Sequence, residues 1–252
     1  MTESLGALRD APDNRDYPFR ETRIAHAATE LTLPSEVDWF PFLGPVKNQG
    51  TLGSCVAFAC ASAREFLVRT LDFHSLATYS PLYLYYRARE GMGTLGQDSG
   101  LFTRDAMKAL GKWGIPDEVS WPYEVSSYNN EPPEWANTNA RWKRIYSYHR
   151  LETNSLDEMR QCLAEGHAFV LSMQVWQTNL GIVPIQKGIL SLPGPEDIPK
   201  GGHAVLVFGY HDNFRLLHAR NSWGSRWGIA GNFFIPYEYV ARYTWDAWTM
   251  VA

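Results

Sequence analysis

One of the three cysteines in this 252-residue chain stands in a setting that suits a nucleophile. The stretch from Val46 to Ala63 reads VKNQGTLGSCVAFACASA. Gly50 and Gly53 shape a tight loop into Ser54, and Cys55 then heads an Ala-rich apolar run. Ser54 suits a helix N-cap, which puts Cys55 in the first helical turn. Unsatisfied backbone N–H groups and the positive end of the helix dipole there favour a thiolate over a thiol. The same N–H groups can hold a developing oxyanion, and Gln49 offers a side-chain amide donor for that purpose.

A cysteine nucleophile needs a base to carry its proton and a group to orient that base. Of the seven histidines, His26 lies near the N-terminus, and His74, His149, His167 and His211 sit in polar or turn contexts. His203 differs: it opens an apolar strand directly after Gly201-Gly202, where a side chain can face a cleft. Asn221 follows at the end of the next strand, with Trp223 beside it. His218, three residues before Asn221, is the rival base, but it reads as a mid-strand residue. Cys60 and Cys162 lie on apolar helix faces and read as structural. Gly91 to Gly96 matches G-x-G-x-x-G but follows a helical segment with no βαβ unit around it, so it reads as a loop rather than a nucleotide site.

These residues require two kinds of element. Cys55 to about Leu71 is a helix, apolar nearly all round at first, which predicts a buried central position. Ser80-Pro81 opens a second helix, PLYLYYRARE, with Pro at its first position. LFTRDAMKALGKW is a third. Beyond a polar connection, Ser155 opens the helix LDEMRQCLAEG with a capping-box pattern, and strands follow: AFVLSMQV, HAVLVFGY, RLLHAR and, last, NFFIPYEYV. Helices first and strands second make an α+β chain of two lobes, a mainly helical one over 34–140 and a mainly β one over 141–252.

A formal charge of −4 and 45% hydrophobic residues describe a globular protein with no call for nucleic acid or an anionic membrane as partner. No window of 18 apolar residues suggests a membrane span, and the N-terminus carries no apolar signal core. An odd cysteine count, two of them on one helix, with no zinc spacing, points to reduced thiols and no metal. These features suit a cytoplasmic protein, or one exported without a classical signal.

Taken together, PVKNQG, GSC-x-AFA, DSGLFTRDAMKAL, GGHAVLVFGY and RNSWGSRWG resemble the papain-like cysteine peptidases, in order and across almost all of residues 34–252. That family places a Cys near the mature N-terminus with His and Asn roughly 130–150 residues downstream. QGTLGSC, LYYRARE, DSG, WPYE and GGHAV are similar to a bacterial branch of it. The resemblance implies a helical left lobe with the Cys-bearing central helix and an antiparallel β right lobe. It implies Cys55 as nucleophile, His203 as base and then acid, Asn221 as orienter, and Gln49 with the Cys55 N–H as oxyanion hole. Trp223 would shield the His–Asn bond. Gly100 and Gly202 would leave backbone open to a peptide or protein substrate, and Leu101, Phe102, Leu171 and Met173 would wall an apolar pocket for the residue two before the scissile bond. No cofactor is implied. The plant-type pattern has Cys at position 52 and near 97; Leu52 and Gln97 stand there, so packing must hold this loop. Other Cys–His acyl transfers, or a silent peptide-binding protein, remain open alternatives.

Residues 1–33 read as an extension, with at most a short helix in RIAHAATEL. Two readings stand side by side. In one, residues about 10–30 drape over the lobes and partly block the cleft, a short inhibitory segment; in the other, they form a fixed arm on the back of the enzyme.

Overall fold

The computed structural model describes residues 4–22, 33–180 and 188–251. The expected helix in RIAHAATEL falls outside them. In chain order the main elements are β1 (Ala7–Leu8), β2 (Glu36–Asp38), α1 (Cys55–Leu71), α2 (Pro81–Met92), β3 (Leu101–Phe102), α3 (Thr103–Lys112) and α4 (Glu134–Arg141). Then come β4 (Ser147–Leu151), α5 (Leu156–Ala164), β5 (Phe169–Trp176), β6 (Pro199–His211), β7 (Leu216–Arg220), β8 (Asn232–Pro236), α6 (Tyr237–Tyr243) and β9 (Thr244–Val251).

The helix boundaries follow local chemistry. Ser80 caps α2 by accepting from the Tyr83 N–H, Pro81 sits where no N–H is needed, and Gly93 ends the helix at φ 71°. Ser155 caps α5 at the Glu158 N–H. The reciprocal half of that capping box is absent, because the Glu158 carboxylate accepts from the backbone N–H of Glu152 and Arg20 instead. At α1, Ser54 occupies the N-cap position without making a cap; its hydroxyl bonds the Tyr123 hydroxyl at 2.8 Å. The first-turn N–H groups around Cys55 are thereby left to other partners.

Seven strands form one antiparallel sheet in the order β4-β9-β5-β6-β7-β8, with β2 paired to β6. Side-chain alternation divides its two faces. Val170, Ala204, Leu206, Trp248 and Met250 pack with α1, α2 and α3 in one apolar cluster. Phe169, Leu171, Met173, Val205, Val207 and Ala247 join a second cluster inside the sheet lobe, with Met159, Cys162 and Leu163 of α5. Helix α1 is buried along most of its length, as its all-round apolar start requires.

Four features differ from the expected ones. Residues 36–38 fall in the stretch read as the helical lobe but pair with His211, Tyr210 and Gly209 of β6. NFFIPYEYV is not one strand: it breaks at Pro236, which has no N–H to donate, and α6 follows. The last strand is β9, TWDAWTMV, whose Trp-rich sequence hides a strand that pairs with both β4 and β5. Leu101–Phe102 leave the third helix to form β3, which pairs in parallel with β1.

Candidate active site

Cys55 begins α1, and His203 lies on β6, whose contacts with α1 bring the two lobes together. His203 Nε2 and Asn221 Oδ1 are 2.7 Å apart, and the Trp223 ring stacks on the imidazole at 4.4 Å between centroids. The Ser222 N–H donates to the same Asn221 oxygen at 2.7 Å, fixing which way the amide points. Asn221 and His203 are both buried, so the bond between them is sheltered from water. Trp223 is held in turn by Trp227, which packs on Phe233.

Gln49 is fully buried. Its Oε1 accepts from the Ser222 hydroxyl at 2.6 Å, and its Nε2 donates to the carbonyls of Leu52 at 2.9 Å and Ser4 at 3.2 Å. Ser222, which was not singled out by its sequence context, therefore ties Gln49 to the Asn221 segment. Its position between Asn221 and Trp223 is the one signal that could have found it. Tyr123 is a second such residue, donating to the Gln49 carbonyl at 2.8 Å.

The loop before Cys55 carries no disulfide; Cys55, Cys60 and Cys162 are all free thiols. The tie between the Leu52 and Gln97 loops is made next door by Asp98, whose carboxylate accepts the Gly53 N–H at 3.0 and 3.1 Å and the Tyr85 hydroxyl. Leu52 and Val56 are buried against the core, as an unstapled loop demands.

The chain's own N-terminal segment runs through this site. The Gly6 N–H donates to the Gly202 carbonyl at 3.0 Å, and the Gly6 carbonyl accepts from the Leu101 N–H at 2.8 Å. A Cβ on Gly100 (φ 72°) would lie 2.4 Å from the Gly6 oxygen, and one on Gly202 would lie 1.9 Å from the Ala7 oxygen. Both glycines thus let a backbone approach, as expected of residues that pair with an extended peptide. Among the described residues it is 4–8 that run along these glycines; residues 23–30 of the stretch expected over the cleft fall outside the described residues. Residues 16–22 instead pack on the sheet lobe, with Phe19 buried among Leu151, Met159 and Leu163.

Leu101 is buried in the same cluster as Ala7, and Phe102 is half-buried beside it. Leu171 and Met173 do not line the cleft wall between the lobes. Strand periodicity turns them into the sheet lobe's own core, and their neighbour Ser172 faces α3 instead, 2.9 Å from the Thr103 hydroxyl. His218 faces Phe208 and Phe234, with Asp38 at 4.0 Å, and is no part of the site.

Burial sets the protonation states. It pushes the Cys55 thiol up to about 11, outweighing the backbone N–H groups of Ala204, Gly6, Val56 and Cys55 that pull it down. It pushes His203 down to about 4, against the Asn221 hydrogen bond that favours the cation. In this closed arrangement burial thus works against both the thiolate expected at the helix start and the imidazolium. His203 Nδ1 has no hydrogen-bond partner among the described residues. Among the same residues no cluster of His, Cys, Asp and Glu is arranged to hold a metal, and no helix is long and apolar enough to cross a membrane.

A family model described as "Papain family cysteine protease" matches residues 33–243. An uncharacterised peptidase C1-like protein of Acanthamoeba polyphaga mimivirus is 32% identical over 96% of this chain and 84% of its own. Mouse pro-cathepsin H is 29% identical over 80% of this chain, which spans only 60% of that longer protein. The crystal structure of xylellain, a cysteine protease from Xylella fastidiosa, superimposes with a TM-score of 0.87 at 31% identity, covering 100% of this chain and 97% of that one. Its two-lobed α+β fold is this fold, and with the model match across both lobes the chain belongs to the papain family of cysteine proteases.

Proposed function

We propose that this chain is a cysteine endopeptidase whose own N-terminal segment restrains it. The observation that carries the catalytic half is the buried 2.7 Å bond between His203 and Asn221, under Trp223, with the Cys55 thiol at the backbone N–H of Ala204, the residue after His203. Asn221 holds the imidazole through Nε2, which leaves Nδ1 for the Cys55 proton. Transfer of that proton gives a thiolate–imidazolium pair, and the thiolate attacks a peptide carbonyl. The oxyanion forms against the Cys55 N–H and Gln49 Nε2, the amide that in the resting chain holds the Ser4 carbonyl. Imidazolium then protonates the leaving amine, and water hydrolyses the thioester with His203 again as base.

The restraint follows from occupancy. Ser4 to Leu8 take the oxyanion donor, the Gly202 carbonyl and the Leu101 N–H, the groups an extended substrate would need. Truncation at Leu33 is a poor probe, because it would also remove Phe19 from the core. A point lesion is cleaner: a Cβ on Gly6 would lie 2.0 Å from the Gly53 oxygen. The test is hydrolysis of fluorogenic peptides by full-length protein. We expect a thioester adduct on Cys55 in mass spectra, no turnover in Cys55→Ala or His203→Ala, and faster turnover in Gly6→Ala. His-independent alkylation of Cys55 by a peptidyl epoxide at mildly acidic pH would refute the ion-pair mechanism. Equal rates for wild type and Gly6→Ala would refute the restraint.

A further inference from the structure

Beyond the cleft, the same N-terminal segment enters a charged cluster built from both lobes. Arg104 is the second residue of α3, directly after the strand that pairs with the segment, and Arg150 lies on β4. Asp16 sits between them. Arg104 Nε and Nη2 each donate to one Asp16 oxygen at 2.7 Å, a two-pronged grip, and Arg150 Nη1 adds a third bond at 2.7 Å. Asp10 accepts from the Arg104 backbone N–H at 3.1 Å and lies 3.8 Å from its guanidinium. The indole of Trp248 lies within reach of both guanidiniums, at 5.7 and 5.6 Å from its ring, which limits their freedom to turn away.

The body of the protein supplies one carboxylate of its own, Asp246. It accepts from Arg150 at 2.8 Å and from the Asp10 backbone N–H at 2.9 Å. Three carboxylates against two guanidiniums leave the filled cluster with one surplus negative charge when all are ionised. If residues 4–16 leave, one carboxylate faces two guanidiniums, and the sign inverts. Among the described residues, the side-chain hydrogen bonds and ion pairs of Arg104 all go to residues 10–16, namely Asp10, Ala11 and Asp16. Once vacated, that guanidinium loses those partners to water while the Trp248 ring stays beside it, and its planar fork suits a carboxylate.

We propose that Arg104 and Arg150 form a subsite for an acidic side chain of the substrate, one that Asp16 and Asp10 fill in the resting chain. This rests on the restraint read above. The subsite lies on the β3 side of the cleft, where the residue two before the scissile bond meets Leu101 and Phe102, so the acidic residue precedes the scissile bond. Asp10 is three residues beyond Ala7, and an extended chain advances about 3.3 Å per residue. The acidic side chain therefore stands several residues farther from the scissile bond than the one at Leu101.

The test uses full-length Gly6→Ala protein in an Asp10→Asn/Asp16→Asn background, kept for every variant below, and pairs of fluorogenic peptides that differ only by Asp or Asn, scanned over the third to eighth residues before the scissile bond. Turnover and binding anisotropy are read together. The expected result is at least a tenfold gain in kcat/KM for Asp at one or two adjacent positions. The gain should shrink with added salt, fall to within twofold in Gly6→Ala/Arg104→Gln, and be partly restored by Arg104→Lys. If Arg104→Gln lowers the melting temperature, the same ratios are read on Arg150→Gln. An Asp/Asn ratio within twofold at every position, or a preference that survives both glutamine variants, overturns the subsite. Equal rates for wild type and Gly6→Ala would sink the restraint alone, and the ratios read on the Asp10→Asn/Asp16→Asn protein would still decide the subsite. Binding without cleavage would sink the peptidase reading, and the anisotropy ratios would decide the subsite in its place.

Discussion

Gly6→Ala gives the sharpest test of how the N-terminal segment sets the chemistry of Cys55. The new methyl carbon would lie 2.0 Å from the Gly53 oxygen and 2.4 Å from its carbonyl carbon, and both neighbours are backbone, so neither can swing aside. The segment must leave this path and give up three hydrogen bonds, at the Gly202 carbonyl, the Leu101 N–H and Gln49 Nε2. At about 1 kcal/mol each this is roughly 3 kcal/mol, or about two orders of magnitude in the open population. In the closed chain Cys55 is fully buried and burial pushes its thiol up to about 11, so a reagent meets a reactive thiolate only through the open state. Wild-type alkylation of Cys55 by iodoacetamide should therefore stay slow at pH 6. Opening the site readmits water and lets His203 take the proton, so the Gly6→Ala rate should flatten with pH and exceed wild type at pH 6 by roughly a hundredfold. Mass mapping separates Cys55 from Cys60 and Cys162, which are buried in the core. Wild-type Cys55 alkylating at pH 6 as fast as the variant would refute the reasoning.

Other outcomes follow from single contacts. Asn221→Ala removes the partner of His203 Nε2 and should lower kcat/KM by about 10- to 30-fold, the equivalent of about 1.5–2 kcal/mol, while His218→Ala should leave it within twofold. Asp98→Ala orphans the Gly53 N–H and the Tyr85 hydroxyl; at about 2 kcal/mol the melting temperature should drop by roughly 4–8 °C in calorimetry. Burial, then the charge of Asp10, pushes the Asp246 carboxyl up to about 7, with Arg150 and Arg104 pulling the other way. The unfolded chain ionises this group more readily, so its contribution to stability is full below about pH 4 and is lost as pH rises through 7. Between pH 5 and 8 the melting temperature of wild type should therefore fall relative to Asp246→Asn, and a gap that widens in favour of wild type would reverse that assignment.

The candidate nucleophile, base and orienter could be picked out in the sequence because each depends on local rules. Gly-rich loop, Cys and apolar run define a helix start at Cys55; two glycines before an apolar strand expose His203; Asn221 and Trp223 close the next strand. The α+β division followed from the change of periodicity after residue 150. Local rules did not reach four things. Which face of β5 turns to the other lobe depends on pairing with β6 and β9, so Ser172 and not Leu171 or Met173 meets α3. Strand β9 is stabilised by two neighbours distant in sequence, and its aromatic composition gives no alternation to read. The protonation of Cys55 depends on what covers it, and a helix N-terminus cannot offset burial that removes the thiolate from water. The tie between the Leu52 and Gln97 loops, absent as cysteines, is present as the Asp98 carboxylate on the Gly53 N–H. Sequence thus determined which groups are candidates for the chemistry. Only the tertiary structure decided that the chain's first residues lie among them, because that path depends on glycines at 6, 53, 100 and 202, which are far apart in sequence and meet only in the folded chain.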